Sequence, residues 1–207
     1  MPRGKDPSPA ARPRRTSRKA SPKSRGRTSW TAGAHPRVIS GGLLQIFGTG
    51  VLIVGDSGLG KSESALELVS RGHLFVSDDV VEVRLSPDGT LFGRAPAISR
   101  DFMEIRGLGI INIRQIFGPR AVCRQTKIDL VIQLKKWHRG FEYDRLGLEF
   151  SEDFDILGVR VPRQIVPVAP GRNIATLIEV ASKVHLLREK GYHASRDIVK
   201  KLNRALL

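Results

Sequence analysis

Residues 51–62 read VLIVGDSGLGKS, and this stretch decides the fold class. Its first four residues form a short continuous apolar run, which is typical of a buried β-strand. The next eight residues match the phosphate-loop pattern G-x-x-x-x-G-K-[ST]. Residues 61–71 then show helical periodicity, and Gly72 supplies the stop signal. A strand, a glycine-rich loop and a helix in this order predict a phosphate-binding loop rather than an ordinary turn.

The loop has the residue types that phosphate binding requires. Its glycines allow backbone angles closed to other residues, so that amide N–H groups can face phosphate oxygens. The helix that follows adds positive charge at its N-terminus. Lys61 can reach the β- and γ-phosphates of a nucleotide, and the Ser62 hydroxyl can ligate Mg²⁺. The residues predicted to bind the nucleotide are Gly55, Asp56, Ser57, Gly58, Leu59, Gly60, Lys61 and Ser62.

Two adjacent carboxylates follow the next predicted strand. Asp78 and Asp79 come after the apolar residues 74–76, only 16 residues beyond Ser62. This short spacing favours a compact phosphate-loop kinase over a switch GTPase or a motor ATPase. One carboxylate would orient the metal or its water, and the other would accept a proton from a hydroxyl. A helix cap or a turn is the alternative explanation for the pair.

A second dense segment, EIRGLGIIN, occupies residues 104–112. Its glycines are typical of a loop that lies close to a ligand or to another backbone. Glu104 would be a second metal ligand and Arg106 would contact phosphate. The spacing alone predicts a purely structural turn equally well.

The 207-residue chain has a net charge of +15, and most of this charge lies in one segment. Residues 1–29 hold ten Lys or Arg residues and one acid, whereas the remaining residues hold 25 basic and 19 acidic side chains. With five prolines and no aliphatic residue beyond alanine, the segment is predicted to be disordered. It is interpreted as a solvated leader or as sequence read from an early start codon. The alternatives are an arm for nucleic acid or an acidic partner, and a transit peptide.

From residue 36 onward the sequence predicts one α/β domain. We therefore assign residues 1–35 to a disordered basic tail and residues 36–207 to the catalytic domain. No stretch approaches 18 consecutive apolar residues, so the sequence predicts no transmembrane helix. The single cysteine, Cys123, excludes a disulfide scaffold and a cysteine-only zinc site. The expectation is a protein of the reducing cytoplasm with no membrane partner.

The C-terminal part predicts interrupted strands followed by helices. Residues 156–168 are strand-like, and Pro162 and Pro167 mark edges or breaks within them. Further along the chain, Ser195 would cap a last helix with an apolar stripe. The side chains predicted to face inward from this helix are Ile198, Val199, Leu202 and Leu206.

These motifs resemble those of the HPr kinase/phosphorylase family, in its C-terminal catalytic domain, over residues 38–207. The phosphate loop GDSGLGKSESALELVSRGH, the SDD pair and EIRGLGIIN carry the resemblance, together with YDRLG at 143–147 and PVAPGRN at 167–173. The resemblance implies an α/β fold with a phosphate-loop kinase core and C-terminal helices. That core would be similar to the nucleotide-binding core of phosphoenolpyruvate carboxykinase.

The resemblance also implies an activity. Family members use ATP to phosphorylate a regulatory serine on HPr, the small carrier protein of the bacterial sugar phosphotransferase system. They reverse the modification by phosphorolysis, in which inorganic phosphate attacks phosphoserine and pyrophosphate is released. They typically form hexamers, so the resemblance implies a homo-hexamer with ATP and Mg²⁺ as cofactors.

Individual residues take roles from the same resemblance. Lys61 would hold phosphate, and Ser62 and Glu104 would bind Mg²⁺. Asp79 would be the base of the kinase reaction and the acid of the reverse reaction. Arg145 would be an active-site cation.

The resemblance extends to two further segments, and the sequence departs from the family pattern in three features. Residues 103–112 would serve both reaction directions, and residues 167–172 would serve mainly dephosphorylation and HPr contact. Ser40 stands where the family usually has a histidine, and Ala169 stands where a basic residue is common. The family usually has an N-terminal domain, in place of which this sequence has the basic tail. Because Ser40 and Ala169 fall on features that handle phosphate, the sequence predicts an intact kinase with weak phosphorolysis.

Two other functions fit parts of the sequence. One is a kinase of the same fold that acts on another hydroxyl, in a protein or a small molecule. The other is a nucleotide-dependent module that binds nucleic acid through the basic tail, and its binding would fall steeply with salt. Aromatic residues make up only 6% of the chain and offer little surface for base stacking, which disfavours nucleic acid as the partner.

Overall fold

The computed structural model describes Met1, residues 36–138 and residues 152–205. The predicted disorder of the tail therefore lies outside the described residues apart from Met1, as do the predictions for Arg145 and Leu206. In the described part of the chain, no helix is long and apolar enough to cross a membrane.

The described residues form strands, short hairpins and helices. The strands are β1 (Arg37–Ser40), β2 (Gly42–Ile46), β3 (Thr49–Val54), β4 (Leu74–Ser77), β5 (Val80–Leu85), β6 (Leu91–Arg94), β7 (Phe102–Ile105), β8 (Gly109–Asn112), β9 (Gln125–Lys127), β10 (Leu130–Lys136), β11 (Phe154–Ile156), β12 (Val159–Val161) and β13 (Arg163–Val168). The helices are α1 (Lys61–Ser70), α2 (Ile113–Phe117), α3 (Ile174–Glu189) and α4 (Ala194–Ala205), with a 3₁₀ turn at Pro119–Ala121.

The larger sheet has five strands in the order β13-β10-β3-β2-β4. β10 is parallel to both β3 and β13, whereas β2 is antiparallel to both β3 and β4. The strands β3, β4, β10 and β13 therefore run in one direction, and their carboxyl ends lie at the same edge of the sheet. The start of β2 lies at that edge as well. In α/β sheets this is the edge at which ligands bind.

Apolar side chains are buried on both faces of the larger sheet. Ile53 belongs to one buried cluster with Leu68 of α1 and Ile178 of α3. Leu52 points the other way and belongs to a second cluster with Val81 of the smaller sheet, whose strand order is β1-β5-β6-β9. Because both faces are covered, the strand before the phosphate loop is continuously apolar rather than alternating.

The structure confirms the α/β class, the strand before the phosphate loop, the helix after it and the helical C-terminus. The two prolines also behave as predicted. Pro162 separates β12 from β13, and Pro167 lies in β13, which is an edge strand of the larger sheet. Proline has no N–H to donate, so a proline in a central strand would leave one hydrogen bond of the sheet unformed. Neither of these prolines lies in a central strand.

The prediction for the last helix is wrong in two respects. α4 begins at Ala194, so Ser195 lies inside its first turn instead of at the N-cap. Ile198 and Leu202 are 47% and 55% exposed, Val199 is only partly buried, and no described side chain of α4 is fully buried. An apolar stripe at helical spacing identifies an amphipathic helix, but it does not specify which element covers the stripe.

Candidate active site

The phosphate loop joins the end of β3 to the start of α1. Gly60 is the N-cap of α1 with left-handed backbone angles, φ 83° and ψ 27°, and its carbonyl accepts the Ser64 N–H at 2.9 Å. Gly55 meets a different requirement, because a Cβ at this position would lie 2.6 Å from the Leu134 carbonyl oxygen of β10. Glycine is therefore needed both for the turn into the helix and for the close approach to the neighbouring strand.

Lys61 places a positive charge at this loop. The Lys61 Nζ donates to the carbonyl oxygens of Gly55 and Asp56, at 2.9 Å each, so the ammonium lies against the loop. Lys61 is also the first residue of α1, whose first-turn N–H groups lack partners within the helix. The loop combines a full charge with a helix N-terminus, which is the arrangement that binds phosphate.

Asp78 lies buried against the serine of the loop. The Ser62 Oγ donates to Asp78 Oδ1 at 3.1 Å, and Asp78 is only 6% exposed. Burial raises the pKa of Asp78 from 3.8 to about 6, and the charge of Asp79 adds to the rise. Hydrogen bonds from the Ser62 hydroxyl and from the backbones of Asp79 and Glu104 oppose the rise in pKa. The buried Oδ2 of Asp78 has no hydrogen-bond partner among the described residues.

Asp79 has the opposite environment, since it is exposed to solvent. Its φ of 61° turns the chain sharply after β4, and its carbonyl accepts the N–H of Gly41 at 3.0 Å. Ser40 precedes this glycine at the end of β1 and is also exposed. The two adjacent carboxylates therefore differ in accessibility, with one held under the loop and the other open to an incoming molecule.

The β7–β8 hairpin brings Glu104 to the same edge. The Glu104 backbone lies close enough to the Asp78 carboxylate to lower its pKa, and the Glu104 side chain is exposed. Its neighbours Met103 and Ile105 are buried, as the alternation of a strand requires. In the described ranges, no group of three or more His, Cys, Asp or Glu side chains is arranged to hold a metal ion.

The turn after β13 lies at the same edge as the phosphate loop. Its backbone closes through a hydrogen bond from the Arg172 N–H to the Ala169 carbonyl at 3.2 Å. The Arg172 Nη1 also donates to the Pro167 carbonyl at 3.0 Å.

Among the predicted site residues, the structure brings Lys61, Ser62 and Asp79 to one edge of the sheet with the backbone of Glu104.

Sequence reasoning missed two features of the site. It did not decide which carboxylate of the SDD pair is buried on the loop serine. It also missed a polar cluster between the end of α1 and the start of α3, for which the i,i+4 spacing of one acid and one arginine was the available signal. The members of this cluster are Glu67, Arg71, Asn173, Thr176 and Glu179.

A parallel strand, a phosphate loop, a helix and two carboxylates at one sheet edge define the class of phosphate-loop α/β domains. The particular family follows from comparison with known proteins. Residues 32–202 match the family described as the HPr Serine kinase C-terminal domain, and the chain belongs to this family.

Curated relatives and a solved structure agree with this assignment. The chain is 46% identical over 172 residues to the HPr kinase/phosphorylase of Caldicellulosiruptor bescii, a match that covers 83% of this chain and 55% of that protein. It is 49% identical over 164 residues to the HPr kinase/phosphorylase of Caldanaerobacter subterraneus, covering 79% of this chain and 53% of that protein. The chain thus spans about half the length of the curated relatives it matches.

The Hpr(Ser) kinase/phosphatase from Coxiella burnetii has a solved structure similar to this one, with a TM-score of 0.70 and 34% sequence identity. The match covers 78% of this chain and 98% of that chain. The resemblance noted from the sequence motifs is therefore confirmed at the level of family and of the mixed α/β fold with C-terminal helices.

Proposed function

We propose that this chain is an ATP-dependent protein-serine kinase that phosphorylates HPr of the sugar phosphotransferase system. The observation that carries the proposal is the contrast between Asp78 and Asp79 beside the phosphate loop. One carboxylate is buried on the Ser62 hydroxyl and the other is exposed, so that metal binding and proton transfer have separate groups. Membership in the HPr serine kinase family supports HPr as the acceptor.

In the proposed reaction the γ-phosphoryl group of ATP moves to a serine hydroxyl. The hydroxyl oxygen forms the new bond to phosphorus, the bond from phosphorus to the β–γ bridging oxygen breaks, and ADP leaves. Asp79 accepts the hydroxyl proton, because its exposed carboxylate is accessible to the acceptor. Lys61 moves from the loop carbonyls to the phosphate oxygens and stabilises their charge, and Arg145 adds a second cation.

The oxygen donors at the site fit Mg²⁺. This ion takes oxygen ligands, commonly one or two carboxylates with phosphate oxygens and water. Ser62 and Glu104 would hold it, with Asp78 beside them, and the unpartnered Oδ2 of Asp78 supports the fit because a cation would stabilise that buried oxygen. When bound, Mg²⁺ supplies charge neutralisation at the β- and γ-phosphates.

The proposal extends to features that the family resemblance implies. These are a core similar to that of phosphoenolpyruvate carboxykinase, a homo-hexamer and a cytoplasmic location. The reverse reaction is proposed to be weak. Phosphorolysis brings an anionic phosphate to a phosphoserine, and Ser40 and Ala169 provide no cation at positions where the family commonly has an ionisable or basic residue.

The test is incubation of the chain with γ-labelled ATP, Mg²⁺ and purified HPr, with the variant Lys61→Ala as control. We expect label on a serine of HPr from the unmodified chain and less than about a tenth of that turnover from the variant, since positioned charge dominates phosphoryl transfer. Transfer to another hydroxyl compound but not to HPr would favour the other kinase hypothesis. Salt-sensitive binding of nucleic acid with no transfer at all would favour the binding-module hypothesis.

A further inference from the structure

The polar cluster between α1 and α3, here called the α1–α3 clamp, joins two helices that start at the same edge of the sheet. The Arg71 Nη1 donates to Glu179 Oε2 at 2.7 Å, and its Nη2 donates to Thr176 Oγ1 at 3.0 Å. The same guanidinium pairs with Glu67 on its own helix. Glu67 lies six residues after Lys61, or about 9 Å along the helix axis at 1.5 Å per residue.

Asn173 uses both ends of its side-chain amide in this clamp. Its Oδ1 accepts the Thr176 N–H at 2.7 Å and thereby caps α3. Its Nδ2 donates to Glu67 Oε1 at 2.9 Å, although the two residues are 106 positions apart in the sequence. The hydrogen bond from Asn173 is the largest cause that holds the pKa of Glu67 below its ordinary value, with Arg71 acting in the same direction and burial opposing.

The clamp lies at the rim of the helix pair and not in its core. The two helices are already joined by buried apolar side chains, including Leu68 and Ile178. The clamp side chains of Arg71, Glu67 and Glu179 are 30%, 41% and 21% exposed. Charge pairs with this degree of exposure contribute little to stability. The clamp is therefore better suited to fixing the orientation of α3 relative to α1 than to holding the two helices together.

Asn173 also ends the turn that follows β13. That turn closes on itself through the hydrogen bonds of Arg172 with Ala169 and Pro167, and Asn173 follows Arg172 directly in the chain. Because β13 and β3 run in the same direction in one sheet, this turn and the phosphate loop share an edge. The clamp thus links the helix of the phosphate loop to a second loop of the site.

We propose that Glu67 and Asn173 are positioning residues that fix the turn at 169–172 relative to the phosphate-loop helix, and so set how the acceptor protein docks on the edge of the sheet that this turn and the phosphate loop share. The proposal rests on the proposed kinase function. It assigns the clamp to the acceptor side of the reaction, so disruption should raise the KM for HPr while the KM for ATP and kcat stay nearly constant.

The variant Asn173→Asp separates the two uses of the side chain. A carboxylate still accepts the Thr176 N–H and caps α3, but it cannot donate to Glu67 and places two negative charges together. We expect the KM for HPr to rise about fivefold or more, with the KM for ATP and kcat within about twofold, as for the loss of one hydrogen bond to a charged group. Adding Glu67→Gln supplies a donor from the other helix, so the double variant should recover most of the loss.

A matched control is available in the smaller sheet. The Arg94–Glu82 pair has side chains 30% and 20% exposed and a 2.8 Å contact, but it joins β5 to β6. Glu82→Gln removes this ion pair and should therefore leave the KM for HPr unchanged. An unchanged KM for HPr in Asn173→Asp would overturn the proposal. An equal rise in the KM for ATP, an equal effect of the control, or no recovery in the double variant would overturn it as well.

Amide hydrogen exchange at residues 171–173 tests the clamp without any activity. Exchange should be faster in Asn173→Asp than in the unmodified chain, and it should return towards the original rate in the double variant. If the unmodified chain labels no HPr but exchange follows this pattern, the kinase proposal fails while the clamp stands as a structural link. Unchanged exchange in Asn173→Asp would overturn the clamp itself.

Discussion

Asp78 should reduce the stability of the ligand-free chain at neutral pH. Burial, with the charge of Asp79, raises its pKa from 3.8 to about 6. A carboxyl with a raised pKa in the folded state holds its proton more tightly there than in the unfolded chain. Ionisation of Asp78 therefore leaves the free energy of unfolding unchanged below about pH 4. It lowers that free energy progressively between about pH 4 and pH 6, and the loss is complete above about pH 6. At about 1.4 kcal/mol per pKa unit, the full cost is about 3 kcal/mol.

The variant Asp78→Asn removes this ionisation with little change of shape. The amide oxygen can still accept the Ser62 hydroxyl, and the amide nitrogen replaces Oδ2, which has no hydrogen-bond partner among the described residues. We expect the free energy of unfolding in urea to rise by about 2–3 kcal/mol at pH 7 and by less than about 0.5 kcal/mol at pH 4. Mg²⁺-dependent turnover should fall, because the same carboxylate lies beside the proposed metal ligands.

The assay is urea unfolding from pH 4 to pH 8 without Mg²⁺ or nucleotide. Asp88→Asn provides a control of opposite sign, since a hydrogen bond from Ser86 is the largest cause that lowers the pKa of Asp88. A carboxylate whose pKa is lowered in the folded state stabilises the fold at pH values above the pKa it has in the unfolded chain. This stabilisation is lost as the pH falls through the lowered pKa. Equal stability of Asp78→Asn and the unmodified chain at pH 7 would refute the reasoning. An increase in the free energy of unfolding of Asp78→Asn that is as large at pH 4 as at pH 7 would refute the reasoning as well.

Three further perturbations test other parts of the structure. Asp79→Asn should lower phosphorylation of HPr about a hundredfold while nucleotide binding, measured by calorimetry, survives, because only the proton acceptor is lost; a mild effect would transfer that role to another group. Ser40→His with Ala169→Arg should raise pyrophosphate release from phosphorylated HPr more than it raises kinase activity, and brisk release by the unmodified chain would contradict this expectation. Gly93→Ala should lower the free energy of unfolding by about 1–3 kcal/mol, because the added Cβ would lie 2.5 Å from the Cδ2 of the buried Leu43. Urea unfolding at pH 7 measures this change, and a variant as stable as the unmodified chain would show that the core side chains can shift.

Much of the fold and part of the site follow from the sequence because their signals are local. The apolar run before Gly55, the glycine spacing and the helical period after Lys61 are contained within about twenty residues, and the structure has the strand, loop and helix that they predict. The prolines near β13 likewise limit where a strand can lie, whatever the rest of the chain does. Local patterns also identified Asp79 and Glu104 as candidate site residues, although they did not predict where the two side chains lie relative to each other.

The tertiary structure alone decided which groups meet. The burial of Asp78 on Ser62 depends on β4 and β3 running in the same direction with β2 between them. The bond between Asn173 and Glu67 depends on two helices packing against one face of that sheet. The stripe on α4 was visible in the sequence, but its exposure was not. Periodicity records which side of an element is apolar, whereas contacts between distant residues depend on strand order and direction, which no local pattern contains.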